Sequence, residues 1–333
     1  MEKTIAIIVT YNRQKLLAEC IQALRSQSHS LSAILVVNNG STDNTEKWLS
    51  EQKDIMVVSQ NNCGSAGGFS KGIQWGYENG YSWMWCMDDD GYPRQDALEN
   101  LLKADNGKDL KLINCAVLDK EDQKSFVWKT GEFKTIDEVD TDIIEGIGHP
   151  FNGTLIHRKI VERVGVPQSK FFLWGDETEY YYRITRKNNI PVCTVANSIH
   201  YHPATAFSIK KDWDFTSGWK MYYYVRNRFH IHKIKFGSKA MAIFNYLCFV
   251  AAFAGVILVF QKTDKFKKLG FLFWPVADAF TNRFEATPPA ILSRLNAGNN
   301  NTWVLSVNTF FQSLAVKIFT PPVKTSREAA NAV

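Results

Sequence analysis

An unbroken apolar run, Trp83 to Met87, stops at three consecutive aspartates, Asp88, Asp89 and Asp90, and Gly91 and Pro93 then turn the chain. Few arrangements tolerate this. The run reads as a buried strand, and three carboxylates at its mouth oppose one another's ionisation. A divalent cation removes that cost, and hard oxygen ligands suit Mg²⁺ or Mn²⁺. In an extended segment alternate side chains share a face, so Asp88 and Asp90 form the natural ligand pair and Asp89 points the other way. Taken alone, the same residues also fit a solvated acidic turn.

The flanking pattern favours a fold that puts such a turn to use. Thr4 to Thr10, Ala33 to Val37, Ile55 to Ser59 and Trp83 to Met87 read as strands. Helical spacing runs from Arg13 to Gln27, through Leu49 after a Thr42 or Asp43 cap, and around Phe69 to Glu78. This alternation predicts an α/β domain with a mostly parallel central sheet. Ligands of such sheets bind beyond the C-terminal strand ends. Four polar clusters fall there: Thr10-Tyr11-Asn12, Asn38 to Asp43, Asn61 to Gly68, and the three aspartates. A dinucleotide site would need glycines directly after the first strand, where Tyr11-Asn12-Arg13 stands, so NAD and FAD are disfavoured. A further helix starts at Ala97 and a strand runs from Leu112 to Leu118. Residues 119–150 look irregular, and Asn296 to Asn301 reads as a loop.

Other residue groups offer chemistry. Asn62 to Phe69, with Gly64, Gly67 and Gly68, is a flexible lead into a helix whose N-terminus favours anions, or an ordinary strand-to-helix turn. Asp176, Glu177 and Glu179 follow Phe171-Phe172-Leu173-Trp174. Bulky apolar neighbours raise a carboxyl's pKa and prepare a general base. Glu177 or Asp176 is the base candidate, while acids at a helix start also serve its dipole. His200 and His202 share one face of an extended segment, and one of them completes a metal site with the aspartates. Arg226 or Arg228 suits a phosphate, or belongs with Tyr222 to Tyr224 on a packing helix.

Composition excludes some classes. The six cysteines are scattered with no C-x-x-C pair, which argues for reduced thiols rather than a disulfide or zinc framework. No signal peptide is expected from the short apolar run at the start. The net charge is +6. Ile231 to Gly270 holds seven lysines and one acid, as large an excess as the whole chain's. That is remote from the candidate chemistry, so nucleic acid is not expected as a partner.

The segments TIAIIVTYNR, VVNNGSTDNT, NNCGSAGGFSKG, MDDDGYP, FNGTLIHRKIVERVG, FFLWGDETEYYYR and YYYVRN, in this order over roughly residues 4 to 230, resemble glycosyltransferase family 2. The resemblance implies a GT-A, Rossmann-like nucleotide-sugar-binding domain at 1–230 and an inverting, metal-dependent transfer. By it, Thr10, Tyr11, Asn12, Asn38 and Asn39 contact the nucleotide, although members often carry Asp where Asn38 and Asn39 stand. Asn62, Gly67, Asp88, Asp89 and Arg226 are further donor-side candidates. Asp88 and Asp90 hold Mn²⁺ or Mg²⁺ with His202 or His200. Glu177 aligns with the base, Asp176 stands beside it, and Trp174 lines the acceptor site. The NNCGSAGGF and MDDDGYP versions are similar to bacterial galactofuranosyl- and rhamnosyltransferases. UDP-galactofuranose is the favoured donor, dTDP-rhamnose the alternative, and a lipid-linked glycan of cell-surface polysaccharide synthesis the acceptor. A non-catalytic nucleotide-sugar-binding scaffold is the third reading. A sugar-nucleotide nucleotidyltransferase would need a basic glycine-rich loop after the first strand, which is absent.

The remainder, 231–333, is expected to be a helical, membrane-associating region. Ala240 to Phe260 is 21 residues without a charge, about the ~20 that span a bilayer. Nucleotide sugars are cytosolic, so a single span would send Lys262 to Lys268 to the far side, against the positive-inside tendency. The expectation is a helix that packs on protein and lies partly in the interface, its lysines on an anionic membrane surface. A buried soluble helix is the alternative. The corresponding location is cytoplasmic, peripheral on the inner face of the membrane.

Overall fold

The structure, a computed structural model, describes residues 2–204 and 208–296. Of the expected loop at 296–301, all but Asn296 lies outside the described residues. Two compact units divide the chain: Met1–Phe207 with Ile231–Lys239, and Ser208–His230 with Ala240–Val333. The expected boundary at 230 therefore differs from the packing. Ile231 buries with Ala66 and Phe171, so its segment belongs to the first unit.

The first unit begins β1 (Thr4–Thr10), α1 (Gln14–Arg25), β2 (Ala33–Asn38), α2 (Thr45–Ser50), β3 (Ile55–Ser59), α3 (Gly64–Glu78) and β4 (Trp83–Asp88). It continues with β5 (Tyr92–Pro93), α4 (Ala97–Ala104), β6 (Leu112–Asp119), β7 (Ser125–Thr130), β8 (Phe133–Thr135) and β9 (Ile143–Glu145). β10 (Asn152–His157), α5 (Arg158–Val164), α6 (Asp176–Tyr182) and β11 (Val192–His202) follow. The sheet order is β3-β2-β1-β4-β10-β6-β11-β5. β1 to β4 are mutually parallel, and β6 pairs in parallel with β11. β10 runs antiparallel between β4 and β6. The expected α/β layering is present, with cores on both faces of β1 and β4. Residues 119–150 are more regular than expected. β7 and β8 form a hairpin off the edge of β6, and β9 pairs with β11. These strands are short and only partly buried, so they lack the apolar runs that betray a strand.

Helix α3 starts at Gly64 rather than at the expected Phe69, because its glycines serve packing. A Cβ on Gly68 would stand 2.3 Å from Val9 Cγ1, on Gly72 2.5 Å from Ile7 Cγ2, and on Gly76 2.9 Å from Met84 Cγ. Spaced by four, these glycines lie on one helix face, and that bare face lets α3 settle against β1 and β4. Glycine costs about 1 kcal/mol in a helix interior. The close approach outweighs it and sets the height of α3 over the ends of the strands.

The second unit holds α7 (Lys220–Phe236) as far as His230, then α8 (Lys239–Phe260) from Ala240, α9 (Lys265–Thr281) and α10 (Pro288–Asn296). Tyr222 Oη donates to Asp278, and Tyr246 Oη donates to the Val225 carbonyl at 3.2 Å. Lys268 is buried but satisfied by Asp212, Gln261 and Thr263 at 2.8, 3.0 and 3.3 Å.

Gly72→Ala should destabilise the first unit by about 1–3 kcal/mol through overpacking. Gly255→Ala in α8, where a Cβ meets nothing within 4 Å, should be neutral or stabilising by up to about 1 kcal/mol. Urea unfolding of both variants checks the contrast; equal effects would remove the packing explanation.

Candidate active site

The sheet delivers its polar residues to one edge. Thr10 and Asn38 are register partners at the ends of β1 and β2, and Val9 lies opposite Asp88. The three aspartates then part ways. Asp89 is buried, accepts from Thr10 Oγ1 at 2.7 Å and from Arg13 Nη1 at 3.2 Å. Arg13 Nη1 also donates to Asp90 Oδ2 at 2.6 Å. His202 Nε2 approaches Asp90 Oδ1 to 3.2 Å, yet that buried oxygen accepts no hydrogen bond. Arg13, which directly follows the Thr10-Tyr11-Asn12 cluster, was not among the expected site residues.

The electrostatics follow from these contacts. Burial first, and then Asp90, push Asp88 up to about 8. Burial likewise raises Asp89, partly offset by Thr10 and Arg13. Burial would raise Asp90 too, but His202 and Arg13 outweigh it and hold its carboxylate at about 2. His202 is raised in turn: burial opposes its charge, and Asp90 prevails.

Asp88, Asp90 and His202 each offer a ligand atom, all within 4.8 Å of one another. Two carboxylates and an imidazole suit Mn²⁺ or Mg²⁺. A buried Asp90 oxygen that accepts no hydrogen bond is what such a set shows without its cation, so the residues fit the ion. His200 is outside this group. It is fully buried, its ring nitrogens find no hydrogen-bond partner, and burial pushes it down to about 3. A Cβ on Gly91 would lie 2.4 Å from its Nε2, so the neutral ring packs beneath the acidic turn. Both histidines share a face as expected, but position along β11 separates them.

The donor-side loops tie to one another. Asn12, at φ 56°, has an Oδ1 that accepts from the Thr42 amide at 2.6 Å and the Asp43 amide at 3.3 Å. Asp43, rather than Thr42, takes up the Thr45 amide at the start of α2. Asn38 Oδ1 accepts from the Ser41 amide. Asn39 is buried and spends its amide on the glycine loop: it donates to the Gly64 carbonyl at 3.0 Å and accepts from Gln60 Nε2 and the Cys63 amide. Asn62 Oδ1 accepts from the Gly64 amide at 2.9 Å. Tyr11 is exposed beside them. The start of α3 is not open to an anion, because the Phe172 carbonyl accepts from the Ala66 amide at 3.2 Å. Gly67 sits inside α3, against Cys63.

That carbonyl belongs to a strained turn. Phe172, Trp174 and Gly175 all have positive φ, at 65°, 55° and 96°. Such residues cluster where a side chain must be aimed. Asp176 is buried with one oxygen unpartnered. Burial, then Glu177, raises it well above the usual carboxylate range, and the charge of Asp88 adds to the rise. Glu177 is half-buried, and its two oxygens accept from the Gly175 amide at 3.1 and 3.0 Å. Glu179 is committed elsewhere, to Arg183 and Gln168 at 2.9 and 2.7 Å.

Trp128 and His149, from the segment read as irregular, also reach this edge. The Trp128 ring lies 5.0 Å from His202 and 5.4 Å from His149. The β7–β8 hairpin brings Trp128 here, and the connection from β9 to β10 brings His149. Arg226 is in the second unit, fully buried, under the rings of Tyr222, Tyr223 and Phe284, with its Nε donating to Asn227 Oδ1.

Comparison with known proteins shows the family. The glycosyl transferase family 2 model matches residues 5–165. Galactofuranosyltransferase GlfT1 of Mycolicibacterium smegmatis is 30% identical over 216 residues, 61% of this chain and 71% of that protein. The low-salt glycan biosynthesis hexosyltransferase Agl10 of Haloferax volcanii is 23% identical over 307 residues, 89% of this chain and 91% of that one. The crystal structure of S. aureus TarS 1-349 in complex with UDP superposes with a TM-score of 0.53 at 12% identity, covering 97% of this chain and 94% of that chain. At that identity the likeness is one of fold.

Because Asp88 keeps its proton to about pH 8, a cation must displace it. Apparent Mn²⁺ affinity should tighten as pH rises, by up to about tenfold per pH unit, and level off above about pH 8. Titration followed by electron paramagnetic resonance across this range tests it, and a flat profile would remove Asp88 from the ligand set. Trp128→Ala should weaken Mn²⁺ binding by about tenfold through a looser His202, with Trp128→Phe nearer wild type in the same titration.

Proposed function

The chain belongs to glycosyltransferase family 2 and is a glycosyltransferase, and from that premise we propose that it transfers a sugar from a nucleotide-diphosphate donor, with inversion and with the help of a divalent cation. The observation that carries this reading is the group of Asp88, Asp90 and His202, whose ligand atoms lie within 4.8 Å of one another where β4 and β11 end. That group suits the diphosphate, and Glu177 the acceptor hydroxyl.

In this reading Asp88, Asp90 and His202 hold Mn²⁺ or Mg²⁺, which supplies positive charge to the departing diphosphate. Arg13 keeps Asp89 and Asp90 from repelling each other. Thr10, Tyr11, Asn12 and Asn38 border the nucleotide, while Asn39, Asn62 and Gly67 shape the wall behind it. Glu177 takes the proton of the acceptor hydroxyl. The freed oxygen forms its bond to the anomeric carbon as the bond to the diphosphate oxygen breaks on the opposite side, so configuration inverts. Asp176 is a poor base, because burial opposes its ionisation; it positions Glu177 from behind. Trp174, held at φ 55°, offers a ring to the acceptor. Arg226 serves the second unit's core.

The galactofuranosyltransferase relatives support UDP-galactofuranose as donor, and the acceptor is a lipid-linked glycan handled at the cytoplasmic face of the membrane. A panel of UDP-galactofuranose, dTDP-rhamnose and UDP-hexopyranoses, with Mn²⁺, Mg²⁺ or EDTA and a lipid-linked acceptor extract, tests the proposal. Transfer should require the cation. Glu177→Gln should lower kcat about a thousandfold without weakening UDP binding, and Asp176→Asn should do less. Full activity in Glu177→Gln would overturn the assignment of the base. Nucleotide binding without turnover of any donor would leave a scaffold.

A further inference from the structure

Helix α8 is apolar on every side, and such helices are normally buried all round. Here only one face is. Ala242, Tyr246, Phe253 and Ile257 are buried, and their spacing of four, seven and four places them on one face. Phe244, Leu247, Cys248, Leu258 and Val259 are exposed on the opposite side. The exposure peaks at the C-terminal end, where Val259 is 71% and Phe266, at the start of α9, is 83% exposed. Lysines ring this end. Lys210 lies 5.2 Å from the Phe260 ring. Lys265 Nζ donates to the Leu258 carbonyl at 2.7 Å, and Lys262 and Lys267 are exposed alongside. Of the nearby acids, Asp212 is neutralised by Lys268 at 2.8 Å, and Asp264 lies 3.7 Å from Lys267.

We propose that the outward face of α8 and the Leu258–Phe266 turn form an insertion surface that docks the protein on an anionic lipid leaflet without spanning it. This deepens the peripheral placement proposed above. An apolar knob inside a cationic rim matches the boundary between acyl chains and anionic headgroups. The buried face argues against a span. It packs on α7, where Phe253 meets Tyr224 and Tyr246 bonds the Val225 carbonyl. Crossing the bilayer would drag Arg226 and Arg228 of α7 with it, at high cost. A second copy fits poorly, because a two-fold pair of these faces would bring lysine against lysine.

Flotation of the full chain with vesicles tests this. Binding to an equal mixture of phosphatidylcholine and phosphatidylglycerol should be at least about tenfold tighter than to phosphatidylcholine alone, and should weaken with salt. Val259→Asp and Phe266→Asp should each weaken binding about tenfold with no change in thermal unfolding. Cys248 gives a second readout. It and Cys63 are exposed, the other four cysteines are buried, and all six are free thiols. Maleimide should label both in solution, and vesicles should protect Cys248 while Cys63, in the first unit, still reacts. Absence of vesicle binding overturns the proposal. So does a dimer in light scattering that Val259→Asp dissolves, or a Cys248 already unreactive without vesicles, since each assigns the face to another occupant. Transfer to a water-soluble acceptor is measured separately, so a failure of docking is distinguishable from a failure of the transferase reading.

Discussion

Three adjacent carboxylates at the end of a buried strand cannot all ionise without counter-charge, and the surrounding structure is arranged around that constraint. Asp89 turns back into the sheet and is met by Thr10 from the neighbouring strand. Arg13 spans Asp89 and Asp90 from the first loop. His202 arrives from a strand more than a hundred residues away and faces Asp90. Among the described residues the Asp88 side chain has no such partner, and it is the carboxyl that burial drives up to about 8. Two of the acids are thus compensated by the protein, and the third is the one whose charge a cation would offset in the proposed reading. The order of the strands makes this possible, because β1 and β4 are parallel neighbours whose ends coincide.

The second half of the site depends on backbone rather than charge. Phe172, Trp174 and Gly175 adopt left-handed conformations, and the Phe172 carbonyl is anchored on the Ala66 amide at the start of α3. Gly64 makes that contact feasible, since a Cβ there would collide with the Phe172 carbonyl. The glycines that suggested a phosphate cradle therefore do two other things. They lower α3 onto the sheet, and they let the acidic turn close against it. The strain in that turn aims Glu177, through the Gly175 amide, while Asp176 stays buried. Which of two adjacent acids stays buried is decided by this turn.

The residues most legible in advance were those whose chemistry and spacing carry their own explanation. An apolar run ended by acids locates Asp88 and Asp90 whatever surrounds them, and alternation put His200 and His202 on one face. Alternation could not say that His202 stands level with Asp90 while His200 lies one pair deeper, against Gly91. The Asn39 side chain was equally ambiguous. An asparagine after a strand suits a ligand or a loop, and only the positions of Cys63 and Gly64 show its amide already engaged. Trp128 carried no signal, because strands as short and half-exposed as β7 and β8 lack the periodicity that marks a strand, and His149 carried none because it stands in a loop.

What the sequence by itself determined was the alternation of strand and helix, the clustering of polar residues after each strand, and an apolar helix flanked by lysines. These are local consequences of residue type and period, and they suffice for fold class and for the location of the acids. The tertiary structure decided the pairing of far-separated groups: Arg13 with two aspartates, His202 with one, Trp128 over His202, and one face of α8 buried while the other stays bare. Those depend on register and on which face an element turns inward. A chain read one residue after another cannot state them, because the partners are set by the closure of the sheet and not by their neighbours in sequence.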